Sequence, residues 1–197
     1  MSLRDAAALQ DLLHSGLEDG VAPALSAWVA VEAQPRAVAS AGEATPETIF
    51  DLASLTKPLV IVTQVMEDVS RGRYGLDDPV EFADGQTRTY RELLGHRSGL
   101  PAWEDLWSVA TAGLPRWRPG EAAVWSVIEE RIATLLQSRT ERSTVYSDLG
   151  YIQLGRALER VHGKSLRDLA KGYGPVPTAA PTSAAPTSVP MRSPPRL

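Results

Sequence analysis

Near the start of the chain, apolar side chains recur at helical spacing: Ala8, Leu9, Leu12, Leu13 and Leu17. This spacing predicts a helix over residues 5–19, stopped by Gly20. The period then shortens. Residues 25–32 and 35–41 are short runs of β-forming type on either side of a turn at Ala33-Gln34, which predicts a hairpin. Residues 48–50 lead into a second helix beginning near Ser54, and from Leu59 to Val69 that helix is apolar nearly all round (Leu59, Val60, Ile61, Val62, Val65, Met66, Val69). A helix without a polar face is expected in the middle of a domain. Gly72 and Gly75 end it, and residues 76–80 read as a turn.

Downstream, Thr89 is placed as the N-cap of a short helix over residues 90–94 that stops at Gly95. Residues 98–120 carry Pro101, Pro115 and Pro119 and predict loop. Two further helices are expected over residues 121–137 (Val124, Ile128, Ile132 and Leu135 on one face) and 149–162, the latter closed by Gly163. From residue 174 the sequence becomes GPVPTAAPTSAAPTSVPMRSPPRL, with almost no large apolar side chain. Such a tract buries too little surface to offset its ordering entropy and is expected to be disordered. The shift is abrupt enough to favour an out-of-frame continuation over a native tail.

At 197 residues and 43% hydrophobic, the chain is long and apolar enough for a real core. A net charge of −4 argues against a nucleic-acid partner, which calls for a basic face. The absence of cysteine excludes disulfides, thiolate catalysis and Cys-ligated zinc. His14, His96 and His162 lack ligand spacing, so neither a metal nor another cofactor is expected. No signal-peptide pattern and no bilayer-length apolar run is visible, so a cytoplasmic protein without membrane contact is the expectation. Oligomeric state is not legible.

Lysine stands only at 57, 164 and 171. That draws attention to Ser54-Leu55-Thr56-Lys57, because residues three apart share a helix face and Lys57 can reach the Ser54 hydroxyl. Serine is a weak nucleophile until a base takes its proton. Lysine serves as that base only when burial and neighbouring charge lower its pKa, and the apolar helix suggests such surroundings. Tyr146-Ser147-Asp148 adds a phenol which, beside an ammonium, makes a good general base. The bland alternative makes Ser54 a helix cap, Lys57 a solvated side chain, Ser147 or Asp148 an N-cap and Tyr146 a core aromatic.

Context favours chemistry. Phe50-Asp51-Leu52-Ala53-Ser54-Leu55-Thr56-Lys57-Pro58, Leu76-Asp77-Asp78-Pro79-Val80, Leu93-Leu94-Gly95-His96-Arg97-Ser98-Gly99-Leu100-Pro101 and Tyr146-Ser147-Asp148-Leu149-Gly150-Tyr151 occur in this order. From about residue 5 to about residue 170 the series resembles the serine β-lactamase-related family of class C β-lactamases, D-Ala-D-Ala carboxypeptidases and related esterases. The resemblance implies an α+β fold of β-lactamase/transpeptidase type and a serine hydrolase acting through an acyl-enzyme on a small-molecule amide or ester. It further implies Ser54 as nucleophile, Lys57 as its proton partner and Tyr146 as general base. Asp148 stands where the family usually has a substrate-contacting Asn; a carboxylate there favours a charged Lys57 and lacks the amide's donor. His96 lies in a loop that is structural in the family.

The family's third motif, a Lys or His followed by a small residue and Gly on a cleft-lining strand, is not found. His162-Gly163-Lys164 has the letters but lies at a helix end. Residues 1–173 are therefore expected to form an incomplete domain lacking its C-terminal strands, with 174–197 as a tail. One oxyanion donor would go with that strand, a loss of roughly 10²–10³ in rate. The hairpin at residues 25–41 would keep an open edge. An inactive truncated member and a non-catalytic binding module using the same cleft are the alternatives to an active hydrolase.

Overall fold

The computed structural model describes residues 3–32, 34–112, 122–137 and 143–173. The expected tail at 174–197, Ala33 of the expected turn and residues 113–120 of the expected loop lie outside them. The chain divides into two compact units, Met1–Asp51 and a second beginning at Leu52.

In the first unit, helix α1 (Leu3–Glu18) packs on an antiparallel hairpin of β1 (Ala24–Val31) and β2 (Gln34–Gly42), paired from Ala24↔Gly42 to Val31↔Gln34 with a bulge at Val29/Ala30. The sequence pattern anticipates all three elements. Alternation sends Ala39 and Ala41 inward against Leu13, with Leu9, Leu17, Leu25 and Ala27 around them. Small side chains on the strand let the helix approach closely. Gly42, at φ +69°, closes the unit where a Cβ would stand 2.2 Å from the Pro23 carbonyl oxygen, so no other residue fits there. On the outer face Trp28 and Val38 are cross-strand partners and both exposed.

The second unit begins with a helical run of three pitches: a 3₁₀ turn at Ala53–Leu55, a π-helical stretch at Lys57–Val62 and the α-helix α2 (Thr63–Ser70). Pro58 accounts for the wide middle. It has no N–H to offer the Ser54 carbonyl and its ring crowds that oxygen, so the chain opens. The Thr63 hydroxyl reaches back to the Pro58 carbonyl at 3.0 Å. Burial of this run corrects the sequence expectation. Val60, Ile61 and Val65 are buried, but Leu59 is 51% and Met66 67% exposed. The helix presents one face to the core, and its apolar character on the other face is not matched by packing.

Turn residues lead to β3 (Pro79–Glu81), paired antiparallel with β4 (Thr87–Thr89), a hairpin where the sequence suggested only a turn at 76–80. Three-residue strands are too short to show a period of two. Helix α3 (Tyr90–Leu94) starts from a capping box between Thr89 and Glu92. Helix α4 (Leu106–Thr111), capped by Asp105, interrupts the expected loop. Helices α5 (Ala122–Gln137), α6 (Asp148–His162) and α7 (Leu166–Ala170) complete the unit, with a final 3₁₀ turn at Lys171–Tyr173. Ser147 caps α6 and Gly163 ends it at φ +62°.

The core gathers around α6. Leu149, Leu154 and Leu158 meet Ile61 and Val65 of the helical run, Leu93 of α3, Leu100, and Ile132 and Leu136 of α5. Buried polar groups are satisfied in place. The Gln153 amide donates to the Glu81 carbonyl at 2.7 Å, tying α6 to β3. Asp68 of α2, wholly buried, accepts from the Tyr74 hydroxyl at 3.0 Å and lies 2.8 Å from His162 Nε2 and 3.2 Å from Arg73 Nε. These contacts fix α2 against the end of α6 and orient the site at its other end. No described helix is long and apolar enough to cross a membrane.

Truncating Leu154 to Ala removes a fully buried side chain at the centre of this core. It should cost about 2–5 kcal/mol in a denaturant unfolding experiment, against within ~0.5 kcal/mol for exposed Met66→Ala. A small Leu154→Ala effect would contradict the placement of α6.

Candidate active site

Ser54 sits in the 3₁₀ turn, immediately after Ala53, whose φ is +44°. A left-handed backbone at alanine costs roughly 1–2 kcal/mol, and strain of this kind gathers at functional sites. The first turn also presents Ser54 where backbone N–H groups point outward and favour negative charge. One turn on, Lys57 Nζ donates to Ser54 Oγ at 3.1 Å and to Asp148 Oδ1 at 2.6 Å. The ammonium stands 4.9 Å from the centre of the Tyr146 ring and 5.8 Å from that of Tyr151. The Tyr146 phenol interacts electrostatically with both Ser54 and Lys57. The structure thus brings together all four residues singled out in the sequence, Ser54, Lys57, Tyr146 and Asp148.

The electrostatics divide them. Lys57 is only 13% exposed, and burial alone would lower its pKa. The hydrogen bonds and charge of Asp148 and Tyr146 outweigh that burial and hold the ammonium above its ordinary value. Of the two influences the sequence offered, apolar surroundings and the Asp148 carboxylate, the shift of Lys57 follows the carboxylate, toward the charged form. Tyr146, 55% exposed, moves the other way, its phenol lowered first by the hydrogen bond from Ser54 and then by Lys57. Of the groups around Ser54, the phenol is the one shifted toward its deprotonated form.

Tyr146 precedes α6 in an extended segment laid along the loop after α3. Val145 N–H donates to the His96 carbonyl at 3.0 Å, and Asp148 N–H donates to that of Ala102 at 3.0 Å. The buried Ser147 hydroxyl donates to the Pro101 carbonyl at 2.7 Å and caps Gly150 N–H, while its own N–H donates to His96 Nδ1 at 3.0 Å. The His96 ring lies against Tyr146 and Tyr151, with centroids 4.5 and 4.9 Å away. The loop is therefore a cradle for Tyr146, in keeping with a structural rather than reacting His96.

Beside Ser54, Lys57 and Asp148 a cleft of about 470 Å³ extends along α6 to Trp125, Ile152 and Leu166. Tyr151 lines its inner end and donates its hydroxyl to the Leu94 carbonyl at 3.1 Å. The sequence reading missed Tyr151, although its place three residues after Asp148 puts both on one face of α6. Among the described residues no group of three or more His, Asp or Glu could hold a metal ion.

A family model described as Beta-lactamase matches residues 9–173. A penicillin-binding protein of Bacillus subtilis (strain 168) is 28% identical over 128 residues, 63% of this chain and 28% of that protein. The octameric penicillin-binding protein homologue from Pyrococcus abyssi superposes with a TM-score of 0.65 at 25% identity, over 84% of this chain and 41% of that one. A D-stereospecific amidohydrolase from Streptomyces sp. superposes with a TM-score of 0.61 at 21% identity, over 85% and 53%. The chain thus spans about half of each solved relative, and less of the B. subtilis protein.

Replacing Asp148 by Asn removes the carboxylate that keeps Lys57 charged. A raised folded-state pKa means the contribution to stability is complete below the ordinary value of 10.5 and lost as pH climbs through the raised one. The Lys57 signal, one of three lysines, should therefore titrate at lower pH in Asp148→Asn when followed by NMR. An unmoved titration would show that the ion pair is not what holds the charge.

Proposed function

Because the chain belongs to the Beta-lactamase family, we propose that it is a serine acyl-transfer hydrolase of a small amide or ester, with Ser54 as nucleophile, Tyr146 as general base and Lys57 as a permanent cation. The observation that carries this reading is the convergence of one hydroxyl on two groups of opposite tuning. Ser54 Oγ receives a hydrogen bond from Lys57 at 3.1 Å and lies beside a phenol whose pKa is lowered.

The steps follow from these positions. Tyr146, as phenolate, takes the Ser54 proton while Oγ attacks the substrate carbonyl carbon, giving a tetrahedral oxyanion. The Ser54 N–H, in the first turn of the helical run, is the donor this reading assigns to the developing charge. Collapse breaks the bond to the amine or alcohol, which leaves with the proton now on Tyr146. Water then gives a proton to the regenerated phenolate as its oxygen attacks the Ser54 ester carbon; collapse breaks the bond to Ser54 Oγ, which takes that proton back from Tyr146, and the acid leaves. Throughout, Lys57 keeps its proton. Its charge stabilises the phenolate, and its bond to Ser54 holds the nucleophile in line.

Asp148 shapes the choice of substrate. A carboxylate accepts but does not donate, so a substrate carbonyl finds no partner there. Its negative charge also disfavours a carboxylate-bearing substrate close by. Neutral esters and amides with an apolar group suited to the cleft toward Trp125 and Ile152 are the preferred class.

Incubating the chain with an activated ester and with a reactive β-lactam, and reading intact mass, tests this directly. The expected result is one acyl adduct that is absent in Ser54→Ala, forming faster with the ester. Tyr146→Phe should slow acylation by roughly 10²–10⁴. A cooperatively folded chain without any adduct would instead favour a binding module, and a chain without a cooperative melt an inactive fragment.

A further inference from the structure

Resting on the reading of Tyr146 as the base, the geometry around His96 points to a role the reaction scheme leaves unassigned. We propose that His96 is the positioning residue of the site: as a neutral imidazole protonated on Nε2, it grips the backbone on both sides of Tyr146 and sets the phenol against Ser54.

Two bonds and one stacking contact carry this. The His96 carbonyl accepts from Val145 N–H and its ring Nδ1 accepts from Ser147 N–H, each at 3.0 Å. Residues 145 and 147 flank Tyr146, so a single residue fixes the segment immediately before and after the base. Between the two bonds the imidazole ring lies against the phenol itself, centroids 4.5 Å apart. The backbone of His96 is left-handed, with φ +55°, and both its carbonyl and its ring bond to the segment around Tyr146. Tyr146 is otherwise largely exposed and has little packing of its own to hold it.

The tautomer follows from the hydrogen bond. An N–H that donates to Nδ1 requires a lone pair there, so the ring proton of neutral His96 is on Nε2. Protonating Nδ1 would set two donors against each other and release Ser147. The surroundings oppose that protonation: burial and then the Lys57 charge lower the imidazole pKa, against Asp148, while Tyr146 and Tyr151 present aromatic faces.

Three measurements on the full chain test the role. In ¹⁵N NMR of the histidine rings near neutral pH, the signal lost in His96→Asn should be that of a neutral Nε2–H tautomer. An imidazolium or an Nδ1–H tautomer would overturn the proposal. In an ultraviolet titration of tyrosinate, the low-pKa phenol assigned by its loss in Tyr146→Phe should return toward about 10 in His96→Ala. It should stay low in His96→Asn, whose amide oxygen can replace Nδ1 and whose backbone tolerates the left-handed φ. An unchanged phenol in His96→Ala would also overturn it, and if that variant fails to fold, the tautomer and the His96→Asn titration decide. Where acylation is observed, His96→Ala should lower its rate on the order of 10²-fold with substrate binding little altered, and His96→Asn should restore most of it. A wild-type chain that forms no adduct refutes the hydrolase reading, while the tautomer and phenol titration still decide the role of His96.

Discussion

One ion pair joins the two halves of the site. Lys57 and Asp148 are 91 positions apart in sequence and 2.6 Å apart in space. The pair ties the helical run that carries Ser54 to the first residue of α6. It is partly open to solvent, so its effect lies more in geometry and charge than in stability. Asp148 favours the ammonium form of Lys57, and that charge beside the Tyr146 ring favours the phenolate, the base in the proposed reaction. The roles proposed around Ser54 thus depend on a carboxylate whose hydrogen bond goes to Lys57 and not to Ser54.

A second set of contacts makes that pairing reproducible. The segment at 145–148 is fastened to the loop at 96–102 through His96, Pro101 and Ala102, and the loop is held in turn by Arg88, whose Nε donates to the Ser98 carbonyl at 2.8 Å. Behind them Leu93, Leu100 and Leu149 close the core without gaps to solvent. The candidate site stands on a surface whose underside is apolar and whose polar atoms are already hydrogen-bonded, the kind of support that holds side chains in fixed positions.

Much of this was readable from residues alone. Helices α1, α3, α5 and α6 follow from period and punctuation, with Thr89, Ser147 and Gly163 at their ends, because capping and amphipathicity are local. Ser54 and Lys57 could be paired from spacing. Tyr146 and Asp148 could be placed beside them only through resemblance, since nothing local marks a contact across 91 positions. The charge of Lys57 could not be weighed from the sequence for a related reason. The apolar run argued for a neutral amine and Asp148 for a charged one, and only distance weighs the two. The one-sided burial of the run and the short β3–β4 hairpin depend on tertiary packing and pairing, which periodicity does not report.

The π-helical stretch at Lys57–Val62 has a meaning beyond accommodating Pro58. A wider turn holds one more residue than an α-turn, so the stretch sets the rotational phase between the two ends of the run. At one end Ser54 and Lys57 face Asp148; at the other, Val65 and Asp68 face the core. Deleting a residue between 58 and 62 would leave each end intact in sequence yet turn one relative to the other, burying Met66 in place of Val65 or swinging Lys57 from its carboxylate. The registration of the candidate site with packing along this helix is therefore carried by its irregular part, where conventional helix-stabilising substitutions would do the most harm.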